Sequence, residues 1–129
     1  MHRGGMVVGI GARRGISTAE VTAALTLLTT AHGIDAADVR AYASVDGKAH
    51  EPGILAAIAP AELWTYPAAV LARVTVPHPD ARVQAATGTP SVAEAAALHA
   101  AAELAGGGPV RLVVAKIVVG RVTVAVASG

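Results

Sequence analysis

The first third of the sequence joins a short apolar run, a glycine-rich loop and a capped helix, and this succession limits the possible folds most. The run Met6–Ile10 ends at glycines, as a buried strand does. Ser17 and Glu20 have the spacing of a capping box, which predicts a helix N-terminus, and Gly33 suits the left-handed position after the last turn. Because a strand and a helix each bury a side against another layer, the succession predicts a layered α/β domain.

The loop between this strand and helix has features that favour anion binding. Backbone N–H groups in the first turn of a helix have no partner within the helix, and the helix dipole favours negative charge there. Gly11 and Gly15 allow the backbone to approach a ligand closely, while Arg13 and Arg14 add permanent charges suited to carboxylate or phosphate. The alternative is an ordinary strand-to-helix turn with two solvated arginines, because such turns are common.

Composition narrows the class of protein. With 129 residues, 53% of them hydrophobic and 15% charged, residues 1–129 are expected to form a single domain with a real core. The net charge of +1 and an aromatic content of 2% argue against nucleic-acid binding through a basic field or base stacking. The chain has no cysteine, which excludes disulfides and thiolate catalysis.

The sequence also indicates where such a protein works. No apolar run reaches the roughly 18 residues that a membrane span needs, and residues 1–5 lack the apolar region of a signal peptide. Together with the absence of cysteine, this predicts a cytoplasmic protein that does not bind membranes. The histidines do not have zinc-ligand spacing, so no metal and no cofactor are expected. His99 is expected on the surface.

The rest of the chain alternates between strand and helix signals. Strands are predicted over residues 39–45, 62–66, 110–118 and 121–127. Short helices are predicted after Pro52 and over residues 67–72, and a longer helix over residues 92–104. The last two strands are separated by a tight turn near Gly120, which predicts a hairpin. We therefore expect a three-layer α/β/α domain whose mixed sheet has about five strands and ends in an antiparallel hairpin.

Three loops that follow strands are expected to share one edge of this sheet. Ligands bind at the carboxyl ends of strands in open α/β sheets. The first glycine loop and the polar loop at residues 46–51 both occupy such positions. A second glycine loop leads to Ser91 and Glu94, which have capping-box spacing. Thr89 and Ser91 could donate hydroxyl hydrogen bonds to an anion there, although Ser91 is equally suited to capping the helix.

These motifs, in this order, resemble the CobE family of cobalamin biosynthesis, which is similar to the C-terminal domain of CbiG. The resemblance covers nearly the whole chain. Two positions depart from the pattern, because Ala12 stands where the family often has cysteine and His78 where it often has asparagine. The matching segments are Gly9–Ser17, Asp46–Gly53, Val76–Pro79, Gly88–Ala96, and Lys116 followed by Val122–Ala127.

The resemblance implies a ligand class. Corrin precursors are amphipathic macrocycles ringed with acetate and propionate groups, so a site for one needs several cationic and N–H donors. CbiG-type proteins open a lactone on a cobalt-precorrin with loss of acetaldehyde and carry an additional N-terminal region, whereas the length of this chain is similar to that of stand-alone CobE. A corrin-ring intermediate is therefore the expected partner, together with other enzymes of the pathway, and the oligomeric state stays open.

Further candidate residues follow from their chemistry. Lys48 could bind a carboxylate, His50 could move a proton, and Glu51 could orient His50, although an Asp-Gly turn before a Pro-led helix explains the same residues. Lys116 interrupts an apolar strand and either extends to solvent from a sheet edge or reaches the site. The candidate ligand-binding residues are Gly11, Arg13, Arg14, Gly15, Ser17, Lys48, Thr89, Ser91 and Lys116, and His50 and Glu51 are the candidate catalytic residues.

Three functions remain open at this point. The first is binding of a precorrin without chemistry, which is favoured because no nucleophile–base–orienter set is evident. The second is a hydrolase acting on the macrocycle, such as the lactone hydrolase of cobalt-precorrin-5A. The third is a small phosphate- or nucleotide-binding domain, although Gly9-x-Gly11 is followed by Arg14 where a dinucleotide fingerprint has its third glycine.

Overall fold

A computed structural model of the chain describes residues 5–76 and 92–129. Two short 3-10 helices cover Ala36–Asp38 and Asp46–Lys48. The α-helices are α1 (Thr18–His32), α2 (Pro52–Ile58), α3 (Ala68–Leu71) and α4 (Val92–Ala105). The strands are β1 (Met6–Ala12), β2 (Val39–Val45), β3 (Leu63–Tyr66), β4 (Arg111–Val119) and β5 (Val122–Ser128).

The described strands form one mixed sheet in the order β3-β2-β1-β5-β4. β1 pairs with β2, and β2 with β3, in parallel, as the helical crossovers between them require. β5 lies antiparallel to β1 and to β4. The predicted mixed sheet with a terminal antiparallel hairpin is thereby confirmed. Gly120 forms the hairpin turn with a φ of 60°, which glycine adopts without steric cost.

The start of α1 follows its local signals closely. The Ser17 hydroxyl accepts a hydrogen bond from the Glu20 amide, and the Glu20 carboxylate accepts one from the Ser17 amide, so the predicted capping box is present. Gly33 adopts a φ of 67° after the last turn, and its N–H donates to carbonyls of that turn. The predicted helix boundaries therefore hold at both ends.

β1 is longer than the sequence indicates. It continues through Gly11 to Ala12, because Gly11 pairs with Thr123 and Ala12 with Val122 on β5. These pairings join residues more than a hundred positions apart, so no local pattern could show them. The exposed loop between β1 and α1 consequently begins at Arg13 rather than at Gly11.

Helices cover both faces of the sheet, which confirms the three-layer architecture. On one face, α1 and α2 bury aliphatic side chains against the sheet, and on the other, α3 and α4 bury mostly alanines and Leu71. The first core includes Val8, Ile10, Ile16, Val21, Leu28, Ile54, Ile58, Val124 and Val126. The second includes Val7, Ala41, Ala43, Leu71, Ala95, Ala96, Ala97, Ala100, Ala101 and Ala127.

α4 lies unusually close to the sheet at Gly9. A Cβ placed on Gly9 would overlap the backbone carbonyl of Ala93. Glycine on β1 and small side chains on α4 therefore permit this separation. The contact also orients α4, because its first residues, Val92 and Ala93, lie beside Gly11 near the carboxyl end of β1.

Candidate functional site

The arginine-bearing loop after β1 is a tight turn fixed to the core. The Ile16 N–H donates to the Arg13 carbonyl at 3.2 Å, and Gly15 has a φ of 79°, a conformation that other residues rarely adopt. Ile16 is buried in the core shared by α1 and α2. Arg13 and Arg14 are exposed, so the turn presents two permanent positive charges from a short, anchored backbone.

The loop after β2 contacts this turn directly. The Gly15 N–H donates to a carboxylate oxygen (Oε1) of Glu51 at 2.9 Å. Gly53, in the first turn of α2, packs so closely on the turn that an added Cβ would overlap the Ile16 carbonyl oxygen. Two of the three loops that sequence analysis assigned to one sheet edge are therefore neighbours in the structure.

Lys48, His50 and Glu51 lie on a compact segment between β2 and α2. The Ala49 N–H donates to the Asp46 carbonyl and the Glu51 N–H donates to the Lys48 carbonyl, which folds the segment into consecutive turns. Lys48 is half-buried and His50 is exposed. Among the described hydrogen bonds, Glu51 contacts Gly15 and not His50. Its position supports a role in joining the two loops better than a role in orienting His50.

Ser17 is already engaged in the capping box. Its hydroxyl lies 3.1 Å from the Glu20 amide and 3.0 Å from a Glu20 carboxylate oxygen. The same carboxylate binds the Arg121 guanidinium through two hydrogen bonds, which ties the hairpin turn to the start of α1. A ligand hydrogen bond from Ser17 would therefore compete with the cap.

The pKa of Glu20 reflects these contacts. The Arg121 guanidinium, and after it the hydrogen bonds from the Ser17 amide and hydroxyl, lower the pKa of Glu20 from 4.5 to about 2. The carboxylate is therefore charged throughout the neutral range. Sequence analysis identified Glu20 as a capping residue but did not identify Arg121, which is 101 positions away in the chain.

The third predicted loop lies outside the described residues. Gly88, Thr89 and Ser91, together with His78, therefore stay predictions. The helix that this loop precedes is described, and its first turn lies beside Gly11. The start of α4 and the exit of β1 are therefore adjacent.

Lys116 lies on β4, where the strand is irregular. The register of β4 against β5 shifts between Leu112 and Val114 and again between Val114 and Ile117. The Lys116 N–H donates to a carboxylate oxygen (Oε2) of Glu94 on α4 at 3.0 Å. Lys116 is half-buried.

Sequence reasoning did not identify Glu94 as more than a capping residue, yet its side chain is completely buried. The sequence feature that could have indicated this burial is a carboxylate within a run of alanines. Its contact with β4 could not be seen in the sequence, because the partner, the Lys116 N–H, is 22 positions away.

A cleft of about 230 Å³ opens elsewhere, between α1 and β2 on the aliphatic face. Val8, Leu25, Thr29 and Tyr42 are among its lining residues. No predicted site residue lines it, and its volume is too small to enclose a tetrapyrrole. The cleft is therefore separate from the cationic loops.

His99 is more enclosed than expected. It is half-buried and meets the Tyr66 ring edge-on, with the ring centroids 4.6 Å apart. The Tyr66 hydroxyl donates to Glu103 at 2.5 Å, and burial together with this carboxylate raises the pKa of Tyr66 above its ordinary value. His99 is therefore partly covered, because β3 brings Tyr66 against α4.

Two further features concern the described residues only. None of the helices in residues 5–76 and 92–129 is both long and apolar enough to cross a membrane. The same residues contain no group of three or more histidine, aspartate or glutamate side chains placed to hold a metal ion.

Comparison with known proteins supplies the family. Residues 6–127 match the family described as Cobalamin synthesis G C-terminus. A protein from Sinorhizobium sp named Protein CobE is 36% identical, and the match covers 95% of this chain and 79% of that protein.

Solved structures agree with this assignment. A crystal structure of CobE from the cobalamin biosynthetic pathway superimposes with a TM-score of 0.83 at 39% identity, covering 95% of this chain and 92% of the other. Cobalamin biosynthesis protein chiG from Agrobacterium tumefaciens superimposes with a TM-score of 0.68 at 35% identity, covering 95% and 97%. The fold and the sequence lead to one conclusion: the chain belongs to the CobE/CbiG C-terminal family of cobalamin biosynthesis proteins.

Proposed function

We propose that the domain binds a corrin-ring precursor of cobalamin through the carboxylates at the edge of the macrocycle, without itself performing chemistry. The observation that carries the proposal is the direct contact between the two loops at the carboxyl ends of β1 and β2, through Gly15 and Glu51. This contact brings the segment that bears Arg13 and Arg14 next to the segment that bears Lys48.

The charges suit this ligand class. Guanidinium groups form paired, charge-assisted hydrogen bonds with carboxylates, and exposed arginines on an anchored turn lose little backbone entropy when they bind. A precorrin carries several carboxylates around its ring, so cations on neighbouring loops can engage more than one of them. The family supports the ligand class, because its members take part in cobalamin biosynthesis.

The arrangement favours binding over hydrolysis. A lactone hydrolase needs a base within hydrogen-bond reach of a water or a nucleophile. Glu51 instead accepts the Gly15 N–H, and His50 is exposed and makes no hydrogen bond to Glu51 in the described segments. A nucleotide-binding function is less well supported, because a phosphate site of this kind is formed by backbone amides and the Gly15 amide already donates to Glu51. Binding of ring carboxylates needs only the arginine side chains, which are exposed.

Absorption titration of the purified protein tests the proposal. The ligands are a precorrin pool, cobyrinic acid as a stable corrin polycarboxylate, cobinamide as a corrin with amidated side chains, and ATP. We expect saturable binding of the precorrins and cobyrinic acid and much weaker binding of cobinamide and ATP. Equal affinity for cobyrinic acid and cobinamide would contradict recognition through carboxylates.

An acetaldehyde assay on the precorrin pool tests the second half of the proposal. We expect no acetaldehyde above the protein-free control. Release of acetaldehyde in proportion to protein concentration would show that the domain is a hydrolase and would overturn the non-catalytic function.

A further inference from the structure

Glu94 is an unusual residue in this core. The described polar or charged side chains that are buried are Ser44 and Glu94. The Ser44 hydroxyl is neutral and donates to the Ile10 carbonyl at 2.6 Å. Burial of a carboxylate is far more costly than burial of a hydroxyl unless the charge is well compensated. Its position in the first turn of α4 offsets part of that cost, because the helix dipole is positive there.

Glu94 contacts β4 at the point where the pairing of that strand is irregular. Ala115 and Lys116 fall between the register positions Val114 and Ile117, where the pairing of β4 with β5 is interrupted. A strand irregularity of this kind removes backbone groups from the ladder and leaves them needing other partners. The Glu94 carboxylate accepts the Lys116 N–H at 3.0 Å and so fixes the irregular segment to α4.

The contact with Glu94 also shows which helix layer the irregular backbone of β4 faces. Ile117 packs against the aliphatic core on the α1 face. One residue earlier, the Lys116 N–H donates to Glu94 on α4, so the backbone at Lys116 faces the α4 layer. Ile117 shares a rung with Val124, and Val124 with Ile10, so β4 is two inter-strand spacings, about 10 Å, from β1. The first turn of α4 contacts both strands, through Val92 and Ala93 at Gly11 on β1 and through Glu94 at Lys116 on β4.

We propose that Glu94 is a positioning residue that holds Lys116 as the far cation of the corrin-precursor site, on β4, two strands away from the strand that leads to Arg13 and Arg14. This inference rests on the proposed function. Glu94 does not touch the ligand; it fixes the backbone of Lys116, and the Lys116 ammonium binds a second carboxylate of the ring.

A double-mutant cycle tests this relationship, with cobyrinic acid as the probe and absorption as the readout. Lys116→Ala should weaken binding about tenfold or more, because one charge-assisted hydrogen bond is lost. Glu94→Ala should produce a similar loss, and the double variant should bind no more weakly than either single variant. Glu94→Gln keeps an acceptor for the Lys116 N–H and should restore most of the affinity.

Controls separate positioning from general stability. Glu103→Gln removes the charge of another α4 glutamate, which contacts Tyr66, and should alter the melting temperature without altering affinity. Arg111→Ala removes an exposed cation at the other end of β4 and should leave affinity unchanged. If Glu94→Ala does not fold, Glu94→Asp, whose side chain is too short for the same contact, replaces it in the cycle.

The possible results distinguish the positioning role of Glu94, the participation of Lys116 and corrin binding itself. Additive losses in the cycle, or unchanged affinity in Glu94→Ala beside a loss in Lys116→Ala, would overturn the positioning role while leaving corrin binding intact. Unchanged affinity in Lys116→Ala would remove Lys116 from the site. Failure of the wild-type protein to bind any corrin polycarboxylate would instead overturn the proposed function itself.

Discussion

The Arg121 guanidinium donates two hydrogen bonds to the Glu20 carboxylate, at 2.6 and 2.9 Å, and thereby joins the β4–β5 hairpin turn to the first turn of α1. Both side chains are partly exposed, so the pair is accessible to solvent and salt. The Glu20 carboxylate consequently has two roles, because it also completes the capping box with Ser17.

The lowered pKa of Glu20 predicts a specific pH dependence of stability. Ionised Glu20 stabilises the folded state above its ordinary pKa of 4.5, and this contribution is lost as the pH falls toward about 2. Glu20→Gln should therefore lower the melting temperature at neutral pH, and the difference from the wild-type protein should shrink as the pH falls. Thermal unfolding followed by circular dichroism across this range measures the effect. Glu62→Gln is the control, because Glu62 is exposed and should show no such trend.

The arginines of the turn after β1 should contribute strongly to ligand affinity. Replacing Arg13 and Arg14 with alanine should weaken binding of cobyrinic acid about 10²-fold or more, since each charge-assisted hydrogen bond contributes roughly 1.5–3 kcal/mol. Folding should persist, because both side chains are exposed. The matched control is Arg73→Ala, an exposed arginine after α3. Equal affinities of the double variant, the control and the wild-type protein at one salt concentration would remove the arginine pair from the site.

The contact between the two loops should require glycine at position 53. Gly53→Ala places a methyl group against the Ile16 carbonyl and should lower the free energy of unfolding by about 1–3 kcal/mol. Gly47→Ala, in the same loop region, meets no neighbouring atom and should have little effect. Urea unfolding of the two variants measures the difference, and similar stabilities would show that the loops are not held by this packing.

Glu51 should act through its acceptor oxygen. Glu51→Ala removes the partner of the Gly15 N–H and should reduce stability by about 1 kcal/mol, with faster hydrogen exchange at the Gly15 amide. Glu51→Gln keeps an acceptor and should retain most of the protection. Amide exchange by NMR distinguishes the variants. Unchanged exchange at Gly15 in Glu51→Ala would mean that this hydrogen bond does not order the turn.

Local chemistry explains why parts of the fold could be predicted from the sequence. The capping box of Ser17 and Glu20 depends on residues three positions apart, and the end of α1 depends on Gly33 alone. Alternating and continuous apolar runs identified the strands, and Gly120 identified the hairpin. In each case the physical determinant lies within a few residues of the element.

Other features of the fold and of the candidate site depend on contacts between residues that are distant in the sequence. The extension of β1 to Ala12 needs β5, and the hydrogen bond to the Glu94 carboxylate needs β4. The loops at Gly15 and Glu51 were predicted to meet, because parallel strands share a carboxyl edge, but the hydrogen bond between them was not. The sequence could not show that Glu51 accepts the Gly15 N–H, because the two residues are 36 positions apart.

The contact between Gly9 and α4 has a consequence for how the two faces tolerate sequence change. On the α1 face, aliphatic side chains set the distance between helix and sheet, so a substitution in one layer can be compensated by another of complementary volume. On the α4 face, backbone atoms of Gly9 and Ala93 set the distance between helix and sheet. A larger side chain at Gly9 therefore cannot be compensated by a smaller side chain on α4. Any added side-chain volume there must displace the whole helix, and with it Glu94 and the segment of β4 that it holds.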